Sequence, residues 1–234
     1  MANAVGDPES AFEYELQVFD NDVDEVIQCF YIWRTVHAEA RKNRKVYGLL
    51  NRNAGFWNVA LGSIQANSLI ALGRIFDCGR DTHNVSRVLR LAAKNPAIFS
   101  KAAFRQRKER DFANATNVNA LRAIDELMER AKEPKPSDFK RLEKFVEARR
   151  KVYGKCYKQI RDKRYAHKER TDMSNVFAQT NIRELARLVT DLRKLHRVLW
   201  DWYRNGMTPR PSHLRGTAGE QIQKRTQKFL QSLL

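Results

Sequence analysis

The chain has 234 residues, 42% of them hydrophobic and 30% charged, enough apolar surface to bury a core and too much for a disordered polymer. Forty-four Lys+Arg against 27 Asp+Glu leave a formal charge of +17, which favours a polyanionic partner, most simply nucleic acid, although a solvated helical surface can also be basic. Three scattered cysteines, Cys29, Cys78 and Cys156, without CxxC spacing argue against a disulfide framework or a zinc knuckle and read as small buried thiols.

The opening "MANAVGDPES" has neither the basic head nor the apolar core of a signal peptide, and no later run is read as reaching the roughly 18 apolar residues of a span. A cytoplasmic location without membrane is therefore expected. From Phe12 the apolar positions Phe12, Leu16, Phe19, Val23, Val26, Phe30 and Trp33 recur at three-and-four spacing, the stripe of one buried helix, with Pro8 where a first turn tolerates it. A second stripe, Phe56, Ala60, Ile64, Leu69, Leu72, Ile75 and Phe76, ends at "DCGRD", where Gly79 suits a C-terminal cap. Two long antiparallel helices follow from this. "THNVSRVLRLAAKNP" predicts a short helix stopped by Pro96, and "AIFSKAAFRQRKERD" and "NALRAIDELMERAKE" predict two more. After "EPKPSD", with Ser137 or Asp138 as cap, a helix carries Phe139, Leu142, Val146, Tyr153, Cys156 and Ile160 on one face. A last long helix carries Ile182, Leu185, Val189, Leu192, Leu199 and Tyr203. No alternating strand pattern and no internal repeat are found, so the fold class is all-α, an up-and-down bundle of long antiparallel helices. "NGMTPRPSHLRGTAGE" reads as a linker and "QIQKRTQKFLQSLL" as a short amphipathic tail, with Ile222, Phe229 and Leu233 on one side, docked on the bundle or on a second subunit.

The chemistry concentrates in "KQIRDKRYAHKE", residues 158–169. On a straight helix His167 lies seven residues and about 20° from Ile160, so it continues the apolar stripe, while Arg164 stands about 60° and Arg161 roughly 120° away from it. Arg161 and His167 then meet only through a kink, a long reach, or two such helices facing each other across a dimer.

"RDKRYAH", residues 161–167, resembles the Arg-x(4–6)-His signature of the HEPN superfamily, with the polar Asp162 directly after Arg161. The earlier "SLIALGRIFDCGRDTHNVSRVLRLAAK" is similar to the corresponding part of the abortive-infection (Abi) branch, and the likeness runs from about Phe12 to Tyr203. The resemblance implies a HEPN-like bundle over residues 1–205, with 206–234 as linker and tail. It further implies a homodimer with both motifs in one cleft, and in active members an endoribonuclease that needs no metal or other cofactor. A toxin or antiviral defence effector of this kind is held in check by an antitoxin, for example a nucleotidyltransferase. His167 would be general acid or base, Arg161 would stabilise the phosphorane, and Asp162 would hold Arg161 or the imidazole. Lys163, Arg164 and Lys168 would add charge for RNA phosphates, and Tyr165 would stack on a base or hydrogen-bond a phosphate.

Blander assignments stand beside these. A non-catalytic HEPN-like scaffold binding RNA, nucleotide or protein through the same groove is the alternative, and a DNA-binding regulator is disfavoured for want of a helix-turn-helix. His196, between Leu192 and Leu199, is read as structural. The run "RQRKERD" at 105–111 is read as a solvated face rather than an RNA contact, and "DCGRDTH" as helix capping by Asp81, Thr82 or Asn84 rather than a metal site. Trp200 and Trp202 fit either core or dimer surface.

Overall fold

A computed structural model describes residues 7–112, 118–166, 180–214 and 219–234, without the side chains of 118–121, 156, 164 and 166. The chain is all-α, and no strand occurs among the described residues. In order come α1 (Pro8–Lys42), α2 (Arg44–Arg52), α3 (Ala54–Phe76), α4 (Val85–Lys94), α5 (Lys101–Asp111), α6 (Val118–Arg130), α7 (Pro136–Val152), α8 (Ile182–Arg204) and α9 (Glu220–Ser232). Short 3₁₀ turns fill Pro96–Phe99 and Pro211–His213.

Two compact units emerge, each made from three stretches of chain: Met1–Asp20, Cys78–Ala148 and Lys194–Arg215 form the first, and Asn21–Asp77, Arg149–Arg193 and Gly216–Leu234 the second. The first unit buries an aromatic core. Phe12 meets Phe99 and Tyr203 edge-on at 5.2 and 5.4 Å, and Phe139 meets Trp202 at 5.1 Å, so Trp202 is core while Trp200 stays 40% exposed. Its helix ends follow local hydrogen-bonding chemistry. Asn84 caps α4 by accepting from the Arg87 amide at 3.0 Å, and Ser100 caps α5 from the Ala103 amide at 3.2 Å. Asp138 acts from inside the first turn of α7, reaching back to the Lys135 amide at 2.9 Å, because Pro136 already opens the helix. After α8, Gly206 turns the chain at φ 58°, and the Met207 amide returns to the Asp201 carbonyl at 3.0 Å. A Cβ there would lie 3.0 Å from the Phe104 ring, so space as well as backbone angle selects glycine.

In the second unit α3 lies antiparallel to α1: Leu61 shares a cluster with Val36, while Arg74 pairs with Asp22 at 2.7 Å. The turn between them is α2, capped by Asn43, which accepts from the Lys45 amide at 2.9 Å, and Val46 joins the same cluster. The tail docks here within its own chain, since Leu230 completes that cluster and Gln227 donates to Glu39 at 2.9 Å. At Gly219 a Cβ would overlap the Tyr31 ring. Four expectations shift. The buried side of α9 is Thr226 and Leu230, with Ile222 half-buried one turn before, leaving Phe229 and Leu233 exposed. Phe56 lies 66% exposed beside Trp57 rather than inside, and Asp77, not Gly79, ends α3. Among the described residues, α3 alone is long and apolar enough to cross a membrane by length and composition, contrary to the sequence reading; 44% of its apolar stretch is buried, including Leu69, Leu72, Ile75 and Phe76.

Candidate active site

Beyond Val152 the helix begun by α7 leaves α geometry twice. Tyr153–Tyr157 forms a π turn, Lys158–Ile160 a single α turn, and Arg161–Ala166 a second π turn. Gly154, whose missing Cβ faces open space, weakens α preference in the first of these. The wider i→i+5 bonding invalidates the 100° count that set Arg161 apart from His167, and such turns concentrate at functional sites. His167 and Lys168 themselves lie outside the described residues, as does the side chain of Arg164.

Arg161 is half-buried and fixed from two sides. Its Nε donates to Asp162 Oδ1 at 2.6 Å and its Nη2 pairs with the same oxygen, while Lys158 Nζ holds Oδ2 at 2.6 Å. Of the two tasks expected of Asp162, the geometry displays the grip on Arg161. Beneath the guanidinium runs α3 at Gly73, where a Cβ would come within 2.5 Å of Arg161 Cδ and 3.1 Å of its Cζ. Glycine is therefore what lets this arginine lie against the helix. Burial alone would raise the Asp162 pKa, but hydrogen bonds from Lys158 and Arg161, with their charges, outweigh it and hold the carboxyl below its usual range. Asp162 is an anion at neutral pH and Arg161 a positioned cation. Lys163 and Tyr165 are half-buried on the same turn.

Tyr153 is the group that sequence reasoning placed only in the core. It is 3% exposed and stacks on Phe76 at 5.3 Å, and its hydroxyl has no hydrogen-bond partner among the described residues. Burial, opposed by Arg161 and reinforced by Asp162 and Asp77, pushes its pKa up to about 12, so it remains a neutral donor. A buried donor without an acceptor is costly unless something else uses it. Gly73 and Lys158 were missed as well. An isolated glycine inside a helical stripe costs about 1 kcal/mol relative to alanine, and that was the available signal for Gly73.

The competing positions resolve into structure. In the run 105–111, Arg107 is buried, donating to the Ile98 carbonyl at 2.8 Å and to Glu9 at 3.2 Å. Arg105 pairs with Asp125, Lys108 with Asp111 at 3.5 Å, and Arg110 with Glu9 at 2.9 Å. Directly after "DCGRDTH", Asn84 is the cap, its amide donating to the Gly79 carbonyl at 2.9 Å, and His83 turns to the buried Glu15 at 3.0 Å, which Arg87 also holds. No group of three or more His, Cys, Asp or Glu arranged to hold a metal occurs among the described residues. His196 is buried, with Nε2 3.2 Å from Asp20 and its ring beside Phe19 and Trp200.

Compared with known proteins, residues 10–225 match the AbiU2 family of HEPN proteins, a span that takes in both units and continues past Gly206 into the start of α9. No curated protein and no solved structure matches the chain.

Proposed function

Since the chain belongs to the AbiU2 family of HEPN proteins, we propose that it is a metal-independent endoribonuclease of abortive-infection type, with RNA as substrate. The observation that carries this is Arg161 itself, a cation clamped by Asp162 and Lys158 and seated on Gly73, six residues before His167. In the reaction the ribose 2′-oxygen bonds to phosphorus and the bond from phosphorus to the 5′-oxygen breaks, leaving a 2′,3′-cyclic phosphate and a free 5′-hydroxyl. One proton leaves the 2′-hydroxyl and one reaches the 5′-oxygen. An imidazole with an ordinary pKa of about 6.5 serves either transfer, and His167 takes one of them. Two copies of the motif facing one cleft, as in a homodimer, supply both. Arg161 meets the extra charge on the pentacoordinate phosphorus with a planar fork of donors. Lys163, Arg164, Lys168 and Tyr165 extend the same surface along the RNA, and an antitoxin restrains the cleft until it is needed.

The test is cleavage of a mixed RNA pool in EDTA by wild type, His167→Ala and Arg161→Ala at matched folding by circular dichroism. Wild type should leave 2′,3′-cyclic ends, and each variant should lose about 10²–10⁴-fold in rate. Three equally inert or equally active proteins overturn the reading and leave a scaffold that binds RNA, nucleotide or protein without cutting.

A further inference from the structure

Next to Arg161 the second unit contains a cavity of about 320 Å³. Its walls are Phe30 and Trp33 from α1, Gln65, Ser68 and Leu69 from α3, and Tyr157 and Ile160 from the π-turned helix, closed by residues at the start of α8. Three features narrow the occupant. The volume is at the lower end of ligand sites, near 300 Å³, which suits one small planar group and not a peptide or a drug-sized molecule. Among the described residues no lining side chain is charged, which suits a neutral occupant. The α3 wall is nevertheless polar: the Ser68 hydroxyl is buried without a hydrogen-bond partner among the described residues, and the Gln65 amide stands one turn before it, while Thr180 and Asn181 also line the cavity. The lining also holds aromatic rings able to stack, Phe30, Trp33 and Tyr157.

The placement gives the occupant its identity. Ile160 lines the cavity and Arg161 is the next residue; on the other wall Leu69 lines it, and four residues on, about 6 Å along α3, Gly73 carries the Arg161 guanidinium. A cation thus adjoins a slot with aromatic walls and hydrogen-bonding groups on α3, which is the layout of a nucleotide divided between phosphate and base. We infer that this cavity is a nucleobase subsite, taking one unstacked base of the RNA whose phosphate Arg161 holds, with Gln65 and Ser68 reading the base edge. This rests on the ribonuclease reading for its substrate, and its test does not.

The test uses the four free ribonucleosides, which carry no phosphate, with the full-length protein. Cys29, a free thiol on the cavity wall, reports occupancy through its rate of alkylation by N-ethylmaleimide, mapped by mass spectrometry. At least one nucleoside should saturably slow Cys29 alkylation without slowing that of the exposed Cys78. Ser68→Leu, which fills the slot, should weaken that nucleoside at least tenfold, and Gln65→Leu should level discrimination among the four. Arg161→Ala should bind nucleosides within about twofold of wild type while losing RNA cleavage. If Ser68→Leu fails to fold, Gln65→Leu and the Cys29 protection decide the matter alone. Absence of protection by every nucleoside, or unchanged affinity and selectivity in folded Ser68→Leu and Gln65→Leu, overturns the subsite. A protein that binds nucleosides but cuts no RNA loses the nuclease and keeps the subsite, and one that cuts RNA yet binds no nucleoside loses only the subsite.

Discussion

Two arginines, one in each unit, do opposite things with the same chemistry. Arg107 in the first unit is 2% exposed and, besides the nearby Ile98 carbonyl, draws its partners from far along the chain: Glu9 and the face of the Tyr203 ring at 4.3 Å. Arg161 in the second unit is 26% exposed and is held by its own neighbours, Asp162 beside it and Lys158 one turn back through that carboxylate. An ion pair between distant segments ties the fold together, because neither charge can stay buried if the segments separate. An ion pair between adjacent residues ties nothing distant. What it does is orient a cation at low entropic cost. Net charge does not separate the two cases, and the sequence distance to the counter-ion does.

The largest effect tests the structural half of that contrast. Glu9→Ala leaves the buried Arg107 without its carboxylate, and urea unfolding should show a loss of about 3–5 kcal/mol. The double variant Glu9→Leu with Arg107→Met, which removes both charges and keeps the volume, should recover most of it. RNA cleavage by either folded protein should stay near wild type, and a selective loss of activity would break the contrast. Next comes Gly73→Ala. Its added methyl must displace Arg161, and a misplacement of about 1 Å can cost roughly 10²-fold in rate. Stability should change little, since alanine is the better helix former by about 1 kcal/mol and the displaced group is a flexible side chain. Wild-type cleavage by Gly73→Ala would mean that the seat of Arg161 on α3 is irrelevant to chemistry.

Much of the fold was legible because helices announce themselves by period. The stripes through Phe12, Phe139 and Val189 are buried over most of their length where the spacing puts them, with Ile182, at the start of the last, 44% exposed. What escaped depends on contacts that no single stripe encodes. Phe56 fits a helical period yet lies outside, because the groups that would cover it belong to other segments. The face of α9 was misjudged by reading a seven-residue spacing, Ile222 to Phe229, where Thr226 and Leu230 make the contact. The candidate site was half legible. Arg161 and Asp162 are named through the motif resemblance, but Gly73 lies 88 positions earlier and Tyr153 reads as one more core aromatic. The π turns were invisible, since a straight-helix count has no place for them.

Tyr153 gives the smallest and most specific prediction. Its hydroxyl is buried without an acceptor among the described residues, so Tyr153→Phe should raise stability at pH 7 by roughly 1 kcal/mol, the desolvation cost recovered. The pH dependence follows from the elevated pKa of about 12 against an ordinary value near 10. Between those values the unfolded chain has released a proton that the folded chain keeps, so stability falls as pH rises above about 10 and is fully present below it. Tyr153→Phe should flatten that fall, read as the difference between wild-type and variant urea midpoints from pH 9 to pH 11. The two curves staying parallel would mean that Arg161 neutralises the phenolate, and that the electrostatic neighbourhood shared by Arg161, Asp162 and Tyr153 is tighter than the burial of the ring alone conveys. If cleavage falls in Tyr153→Phe while stability rises, the hydroxyl is spent on the substrate and belongs with the Arg161 cluster rather than with the core, because a purely structural donor without an acceptor cannot lower activity by its removal and raise stability at the same time.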